Sequence, residues 1–329
     1  MKSLSDSAIR RLRDAADAPD MTGTKYDIIA RVGQGGMGTV YRARDRELGR
    51  DVALKVIRVP EASPDVAARM LREARTLAQL EHPGIVPVHD VGTSPDGRTF
   101  YAMKLVRGMP LDAQPPSSLG ARLRIVERIC DAVAFAHAHG VIHRDLKPQN
   151  VMVGPFGEVL VMDWGVAKVV ADATPSLGRV TPDRGVASAP STPTTGHGVV
   201  LGTPGYMAPE QAAGDTSLVD ARADVYAIGA ILRDLCAAED DGARSATTLA
   251  RPLRAIILKA MAASPNDRYA DVAALARDVA AFSAGEPVSA YNENLLERAQ
   301  RLASRYRTPI LLVVAYLVMR IALLTFFGR

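Results

Sequence analysis

The sequence predicts an α+β fold in two lobes, the first small and strand-rich, the second large and mainly helical. Three observations carry this. Extended patterns run from Tyr26 to Tyr41 and from Val52 to Arg58, whereas beyond Pro110 the apolar spacing becomes mainly helical. Between a helical run, Ile125 to Ala138, and a hairpin, Val151-Met152-Val153 and Val159-Leu160-Val161-Met162 around Gly154-Pro155-Phe156-Gly157, lies a polar loop of eight residues. At 329 residues the chain is long enough for one large two-lobed domain with appendages.

In chain order, residues 1–25 read as a tail with a turn or two of amphipathic pattern (Leu4, Ala8, Ile9, Leu12). Ser63-Pro64-Asp65 supplies an N-cap, a proline at the first helical position and an early acid. The helix it starts puts Val66, Met70, Ala74 and Leu77 near one face and carries Glu73. Leu80 to Val91 and Thr99 to Val106 read as strand, broken by the turn Ser94-Pro95-Asp96-Gly97. Residues 171–199 are rich in Thr, Ser, Pro and Gly without apolar periodicity and read as a long flexible segment. Helix returns at Glu210-Gln211, Asp224 to Cys236, Leu253 to Ala263 and Val272 to Phe282. Gly285-Glu286-Pro287 ends that pattern. Leu295, Ala299, Leu302 and Tyr306 then form a last amphipathic helix joined to an apolar run.

Composition narrows the function. Apolar residues make up 48% of the chain and charged ones 23%, which excludes a disordered class; the net charge of +4 is too small for a nucleic-acid footprint across a face. The excess is local, in Arg10, Arg11 and Arg13 and in Arg298, Arg301, Arg305 and Arg307. Cys130 and Cys236 sit in separate apolar helical patterns and read as buried reduced thiols. His82, His89, His137 and His139 have no carboxylates at ligand spacing and read as structural. Residues 1–20 lack the apolar stretch of a secretory signal.

The chemistry concentrates in the loop His143-Arg144-Asp145-Leu146-Lys147-Pro148-Gln149-Asn150. The second hairpin strand runs into Asp163-Trp164-Gly165. A loop carboxylate and amide followed by a carboxylate at a strand end make a hard-oxygen site of the kind Mg²⁺ takes when it also holds phosphates. Upstream, Gly33-Gln34-Gly35-Gly36-Met37-Gly38-Thr39-Val40 lies between strands, and Val52-Ala53-Leu54-Lys55-Val56 follows on a strand. Thr39 to Ala43 continues as strand, which argues against a dinucleotide fold, where a helix must follow the glycines. Glycine loop, strand lysine, His-Arg-Asp loop, Asp-x-Gly and Ala208-Pro209-Glu210 occur in the order of the protein-kinase motif set. Over roughly Tyr26 to Ala284 the chain resembles a bacterial transmembrane serine/threonine protein kinase of the eukaryotic-like (Hanks) type.

The resemblance implies a two-lobed kinase domain at 26–284, with its small lobe at 26–103, hinge at 104–108 and large lobe at 109–284. A basic juxtamembrane segment at 285–307 and a transmembrane helix at 308–327 would follow. It implies ATP with Mg²⁺ or Mn²⁺ and protein substrates bearing Ser or Thr hydroxyls. Val32, Gly33, Gln34, Gly35, Gly36, Met37, Gly38, Thr39, Val40 and Ala53 would line the nucleotide. Lys55 would hold its phosphates and pair with Glu73. Met103 is the implied gatekeeper, and Leu105 and Val106 give hinge backbone contacts. Asp145 would be the base, Lys147 would offset charge on the transferring group, and Asn150 and Asp163 would hold metal. Arg144 would receive a phosphate from the activation segment, where Thr181, Thr192, Thr194 and Thr195, then Ser188 and Ser191, are the candidate acceptors. Thr203 would position Asp145 and Lys147. Glu210 and Arg268 would brace the large lobe, Asp224 would hold the loop backbone, and His143 would pack. Two departures stand out: Lys104 where an acidic hinge residue is common, and a short span from Ala237 to Ala250 in place of a docking helix. The competing expectation is a catalytically weak nucleotide-binding scaffold, which usually betrays itself by a lost lysine, base or metal ligand.

Ile310 to Phe327 holds twelve Leu, Ile, Val or Phe residues and one charge, Arg320. Eighteen helical residues span roughly 27 Å, close to a ~30 Å hydrocarbon core. Insertion by about 4–7 kcal/mol outweighs the ~2.5–3.5 kcal/mol of a central arginine. The preceding arginines place the kinase on the cytoplasmic side, giving a single-pass protein of the inner membrane. Arg320 could pair with a partner helix, so a second copy is a candidate partner. Only Gly328 and Arg329 follow, so no external sensor is expected in this chain.

Overall fold

The computed structural model describes residues 18–34, 38–57, 64–164, 168–169, 205–214, 219–237, 249–295, 297–299 and 307–327. The first lobe is a five-stranded antiparallel sheet ordered β1-β2-β3-β5-β4. Its strands are β1 (Tyr26–Gln34), β2 (Gly38–Asp45), β3 (Arg50–Ile57), β4 (Val88–Thr93) and β5 (Thr99–Lys104). Tyr41, Ala43, Val52, Leu54, Val56 and Phe100 alternate onto one face and form a buried cluster with Tyr26. Ala53, Ile57, Tyr101 and Met103 point to the other face, against helix α1 (Pro64–Ala78), which answers with Met70 and Ala74. Pro64 stands at the first helical position as expected; the side chain of Val66 and all of Ser63 lie outside the described residues.

The expected strand from Leu80 is corrected: regular pairing begins only at Val88. His82-Pro83-Gly84 turns the chain instead, with Ile85 N–H donating to His82 O at 3.0 Å, and Ile85 makes a single bridge to Val161. Two prolines, Pro83 and Pro87, remove donors that a continuous strand would need.

The second lobe is built on α2 (Leu119–Ala138), which starts earlier than its apolar spacing suggested because Ser118 caps it, its hydroxyl accepting from Ala121 N–H at 3.3 Å. Gly140, at φ 73°, ends it in the left-handed region. Short strands flank it in the chain: β6 (Met109–Pro110) before it, with β8 (Val151–Val153) and β9 (Val159–Val161) after it, forms one sheet, and β7 (Val141–Ile142) pairs with β10 (Lys168–Val169). Then come α3 (Pro209–Ala212), α4 (Arg222–Ala237), α5 (Arg251–Ala260) and α6 (Val272–Ser283). α2, α4, α5 and α6 share one core, centred on Ile129, Val133, Ile228, Ile231, Leu253, Ile256 and Leu275. At Gly229 a Cβ would stand 2.7 Å from that of Ala260, so glycine there sets the close approach of α4 and α5. α5 stops at Ala260 rather than Ala263, and Arg268 donates to the carbonyls of Ala262 and Ala263 beyond its end at 2.8 and 3.1 Å.

Cys130 is fully buried, but Cys236 is only partly so, which corrects the expectation of two buried thiols; neither is in a disulfide. A final helix, α7 (Arg307–Phe327), spans the apolar run. Leu302 and Tyr306 of the amphipathic stretch before it lie outside the described residues, as do all of residues 171–199 and most of the 237–250 segment. Among the described residues no helix is long and apolar enough to cross a membrane. The described side chains of α7 cover residues 311–321.

Arg268 and Glu210 tie α3 to the loop before α6. Two parallel bonds of 2.7 Å join them, the arginine side chain is wholly buried, and it stacks 5.0 Å from the Tyr226 ring centroid. Breaking a buried pair strands a charge at a cost of about 3–5 kcal/mol. Arg268→Ala should therefore lower unfolding stability by about that amount in urea titration; a midpoint within error of the parent would refute the bracing role.

Candidate active site

The site lies between the lobes and is assembled from strand ends and loops. On the sheet side, Gly33 pairs with Val40 and Gln34 with Thr39, so the glycine stretch is the β1–β2 turn. Gly35, Gly36 and Met37 lie outside the described residues. A Cβ at Gly38 would stand 2.3 Å from the Val56 carbonyl oxygen, so only glycine lets β2 begin there. Val32 is exposed, Thr39 buried and Val40 half-buried. Ala53 lies opposite Met103 in the β3–β5 register, and Leu105 and Val106 pack beside them. These apolar side chains form the wall that a flat ring would meet. Lys104 is exposed, its backbone N–H donating to Pro87 O at 3.1 Å.

Lys55 projects from the centre of β3 between two anions. Its Nζ donates to Glu73 Oε1 at 2.8 Å and to Asp163 Oδ1 at 3.1 Å. Burial alone would depress the lysine, but the oxygens of Tyr101, Glu73 and Asp163 around it push its pKa well above the ordinary range. Burial likewise works to raise Asp163, yet Lys55 outweighs it and holds the carboxyl below its usual value. α1 is thus in the inward position in which Glu73 reaches the strand lysine.

The loop His143 to Asn150 is tied to its own lobe by a buried carboxylate. Asp224, near the start of α4, accepts from the backbone N–H of His143 at 2.8 Å, from that of Arg144 at 2.9 Å and from His137 Nε2 at 2.7 Å. Burial pushes its pKa up, but these donors prevail and keep it below the carboxylate norm. The His143 ring is wholly buried, 4.6 Å from the Trp164 ring. Asp145 N–H donates to its Nδ1 at 3.2 Å and its Nε2 lies 2.9 Å from Met162 O, which places the ring proton on Nε2.

Asp145, Lys147 and Asn150 come together as expected. Lys147 Nζ donates to Asp145 Oδ2 at 2.8 Å, and Asn150 Nδ2 donates to Asp145 O at 2.8 Å and to Oδ2 at 3.3 Å. With the amide nitrogen committed, the oxygen of Asn150 remains as a cation donor, and Asp163 keeps Oδ2. Among the described residues no group of three or more His, Cys, Asp or Glu is poised around a metal. Two hard oxygens suit an ion that keeps its waters and shares phosphate oxygens, so this donor set fits Mg²⁺.

Arg144 stands at φ 71° with Nε and Nη2 buried and without hydrogen-bond partners among the described residues. Burial draws its pKa down, against the pull of Asp224. Thr203 and the candidate acceptors Thr181, Ser188, Ser191, Thr192, Thr194 and Thr195 lie outside the described residues.

Three contributors escaped the sequence reading. Tyr101 donates to Glu73 Oε1 at 2.8 Å. His137, read as merely structural, is a ligand of Asp224. Gln211 donates to Arg144 O at 2.9 Å while its own oxygen accepts from Ala208 N–H at 3.2 Å. Tyr101 left a usable signal, since it sits two residues from Met103 and so shares its face of β5.

Comparison with known proteins agrees with this geometry. The protein kinase domain family matches residues 26–268. The DNA damage-responsive serine/threonine-protein kinase RqkA of Deinococcus radiodurans is 42% identical over 216 residues, 63% of this chain and 29% of that protein. Serine/threonine-protein kinase PknB of Mycobacterium tuberculosis is 33% identical over 300 residues, covering 83% of this chain and 45% of the other. The chain therefore spans less than half the length of these relatives. The crystal structure of the Mycobacterium tuberculosis PknI kinase domain superposes with a TM-score of 0.55 at 27% identity, over 80% of this chain and 98% of that one. The chain belongs to the protein kinase family.

Proposed function

We propose that the protein is a membrane-anchored, ATP-dependent serine/threonine protein kinase that phosphorylates its own activation segment as well as protein substrates. The observation that carries this is the complete constellation of Lys55 on Glu73 and Asp163, facing Asp145 with Lys147 and Asn150. Bound ATP would supply the phosphoryl group, and Mg²⁺ or Mn²⁺ would neutralise its developing charge. The chain's own residues position the partners. Lys55 holds the phosphates, Asp163 and Asn150 hold the ion, Asp145 orients a substrate hydroxyl and accepts its proton, and Lys147 offsets charge beside it. A scaffold without activity finds no supporting observation, since lysine, base and both metal ligands are present.

Asp145→Asn in the full chain should reduce phosphate transfer by about 10²–10⁴-fold, the usual worth of a positioned base. Nucleotide affinity should change little, because Asp145 faces the hydroxyl and not ATP. Lys55→Met should weaken both. Transfer measured with radiolabelled ATP at the parent rate in Asp145→Asn would overturn the assignment.

Regulation follows from Arg144. Its two buried nitrogens without partners among the described residues suit a phosphate, which adds about −1.5 to −2 charge and forms charge-assisted bonds to arginine. Phosphorylation within residues 170–200 would supply that partner. Replacing Thr181, Ser188, Ser191, Thr192, Thr194 and Thr195 together by Ala should abolish the lag in autophosphorylation and leave a low, constant rate. An unchanged lag and final rate would remove this proposal.

The anchor rests on α7 and its sequence. Nine large apolar side chains between Leu311 and Ile321 are exposed, from 47% to 66%. Around the whole circumference that surface suits lipid better than water. With the arginines at 298–307 on the cytoplasmic side, the kinase domain would face the cytoplasm. The full chain should stay with the membrane pellet in alkaline carbonate, whereas a chain truncated after residue 307 should not; full-length protein in the supernatant would exclude the anchor.

A further inference from the structure

Glu73 is an under-satisfied buried carboxylate. The residue is 4% exposed, its Oε1 accepts from both Lys55 and Tyr101 at 2.8 Å, and its Oε2 is buried with no hydrogen-bond partner among the described residues. Removing one donor from such a group leaves a charge that the interior supports poorly. One of the two donors, Lys55, is shared with Asp163 and, in the kinase reading on which this inference rests, turns to ATP phosphates. The other is fixed. Tyr101 lies directly opposite Lys55 in the β3–β5 register, so both side chains leave the same face of the sheet. Its ring is 2% exposed and belongs to the buried cluster that contains Met70 and Ala74 of α1. Burial and the neighbouring Glu73 push the phenol far above its ordinary pKa, so it remains a protonated donor.

We propose that Tyr101 is a positioning residue whose hydroxyl latches Glu73 to the sheet and holds α1 inward whether or not Lys55 is engaged elsewhere. The lysine pair is the interaction that chemistry needs, but by itself it offers Glu73 a single donor. With Tyr101 the carboxylate keeps a partner inside the core through the whole cycle of nucleotide binding and release. Without it, the shortest route to hydration for Glu73 is an outward swing of α1. The inward position is therefore a built-in preference of this chain rather than one conferred only by ligand.

Tyr101→Phe tests this in the full chain in detergent micelles, because it removes one oxygen and keeps the ring. Two readouts separate the latch from the catalytic reading. The first is steady-state kinetics on a Ser/Thr peptide. kcat should fall about tenfold, the effect of losing one hydrogen bond to a charged group, while KM for the peptide stays within about twofold. The second needs no activity. Trp164 is the sole tryptophan and shares a buried cluster with Leu77 of α1, so an outward helix should red-shift its emission and expose it to acrylamide. The shift should persist with saturating magnesium and a non-hydrolysable ATP analogue, which engages Lys55 and leaves Glu73 without either donor. Adding Tyr101→Phe to Glu73→Ala should change neither readout further, since the latch acts through Glu73. A parent-like kcat and spectrum in Tyr101→Phe overturns the latch, and so does an equal loss in the Glu73→Ala background, which would assign Tyr101 to packing. Should the parent chain transfer no phosphate, the kinase reading fails while the fluorescence comparison still decides the latch.

Discussion

Everything at the lower side of the cleft depends on one buried carboxylate. Asp224 takes two backbone N–H groups from a loop that cannot otherwise hold its shape, and an imidazole, that of His137, from the end of α2. The need is visible in the backbone. Arg144 and Asp163 are the non-glycine residues at positive φ among those described, at 71° and 56°, and each such conformation costs about 1–3 kcal/mol unless its surroundings impose it. At Arg144 the imposition is two-sided, with N–H on Asp224 and carbonyl oxygen on Gln211. The peptide units on either side are thereby fixed, and Asp145, the next residue, inherits its direction.

The charge pairs of the molecule do unequal work. Arg42 and Arg44 grip Asp51 on the sheet surface with about half of each arginine side chain exposed, and such solvent-screened pairs add little to stability. Lys55 and Glu73 are buried while the Asp163 side chain is about half exposed, and the geometry of the three matters more than their net stability. Hydrophobic groups of similar volume would hold the lobes together as well. What they could not do is present an ammonium and a carboxylate oxygen at fixed places across the cleft. The Glu210–Arg268 pair differs again: it lies within one lobe and closes the carbonyls left open where α5 ends.

The sequence made the chemical residues legible because each belongs to a short local pattern. Lys55 on an apolar strand, Asp145 with Lys147 and Asn150, and Asp163 at a strand end could all be placed without tertiary information, and the hairpin that connects them follows from its turn. The supporting residues were less visible because their partners are remote in sequence. His137 meets Asp224 across 87 positions and Gln211 meets Arg144 across 67, and neither distance leaves a periodic trace. The segment from Leu80 misled for a different reason. Its apolar content fits a strand, but what it supplies is Ile85 and Val86 to two cores from a turn that two prolines keep out of the ladder.

These contacts also divide the cleft into a fixed half and an adjustable half. The donors on Asp224 all come from the lobe to which it belongs, two of them main-chain, so the His143–Asn150 loop can move only if the α2–α4 core moves with it. Glu73 is held differently. Its partners are side chains on two strands, its own element is a helix resting on Met70, Ala74 and Leu77, and one carboxylate oxygen has no partner among the described residues. Fewer and more remote constraints make α1 the element whose displacement costs least. Asp163 is coupled to it through the shared lysine, and Trp164, the next residue, fills the core behind with its indole N–H on Val161 O at 3.2 Å. A shift of α1 is therefore felt at Asp163 by way of one ammonium group, while Asp145 remains where Asp224 holds it.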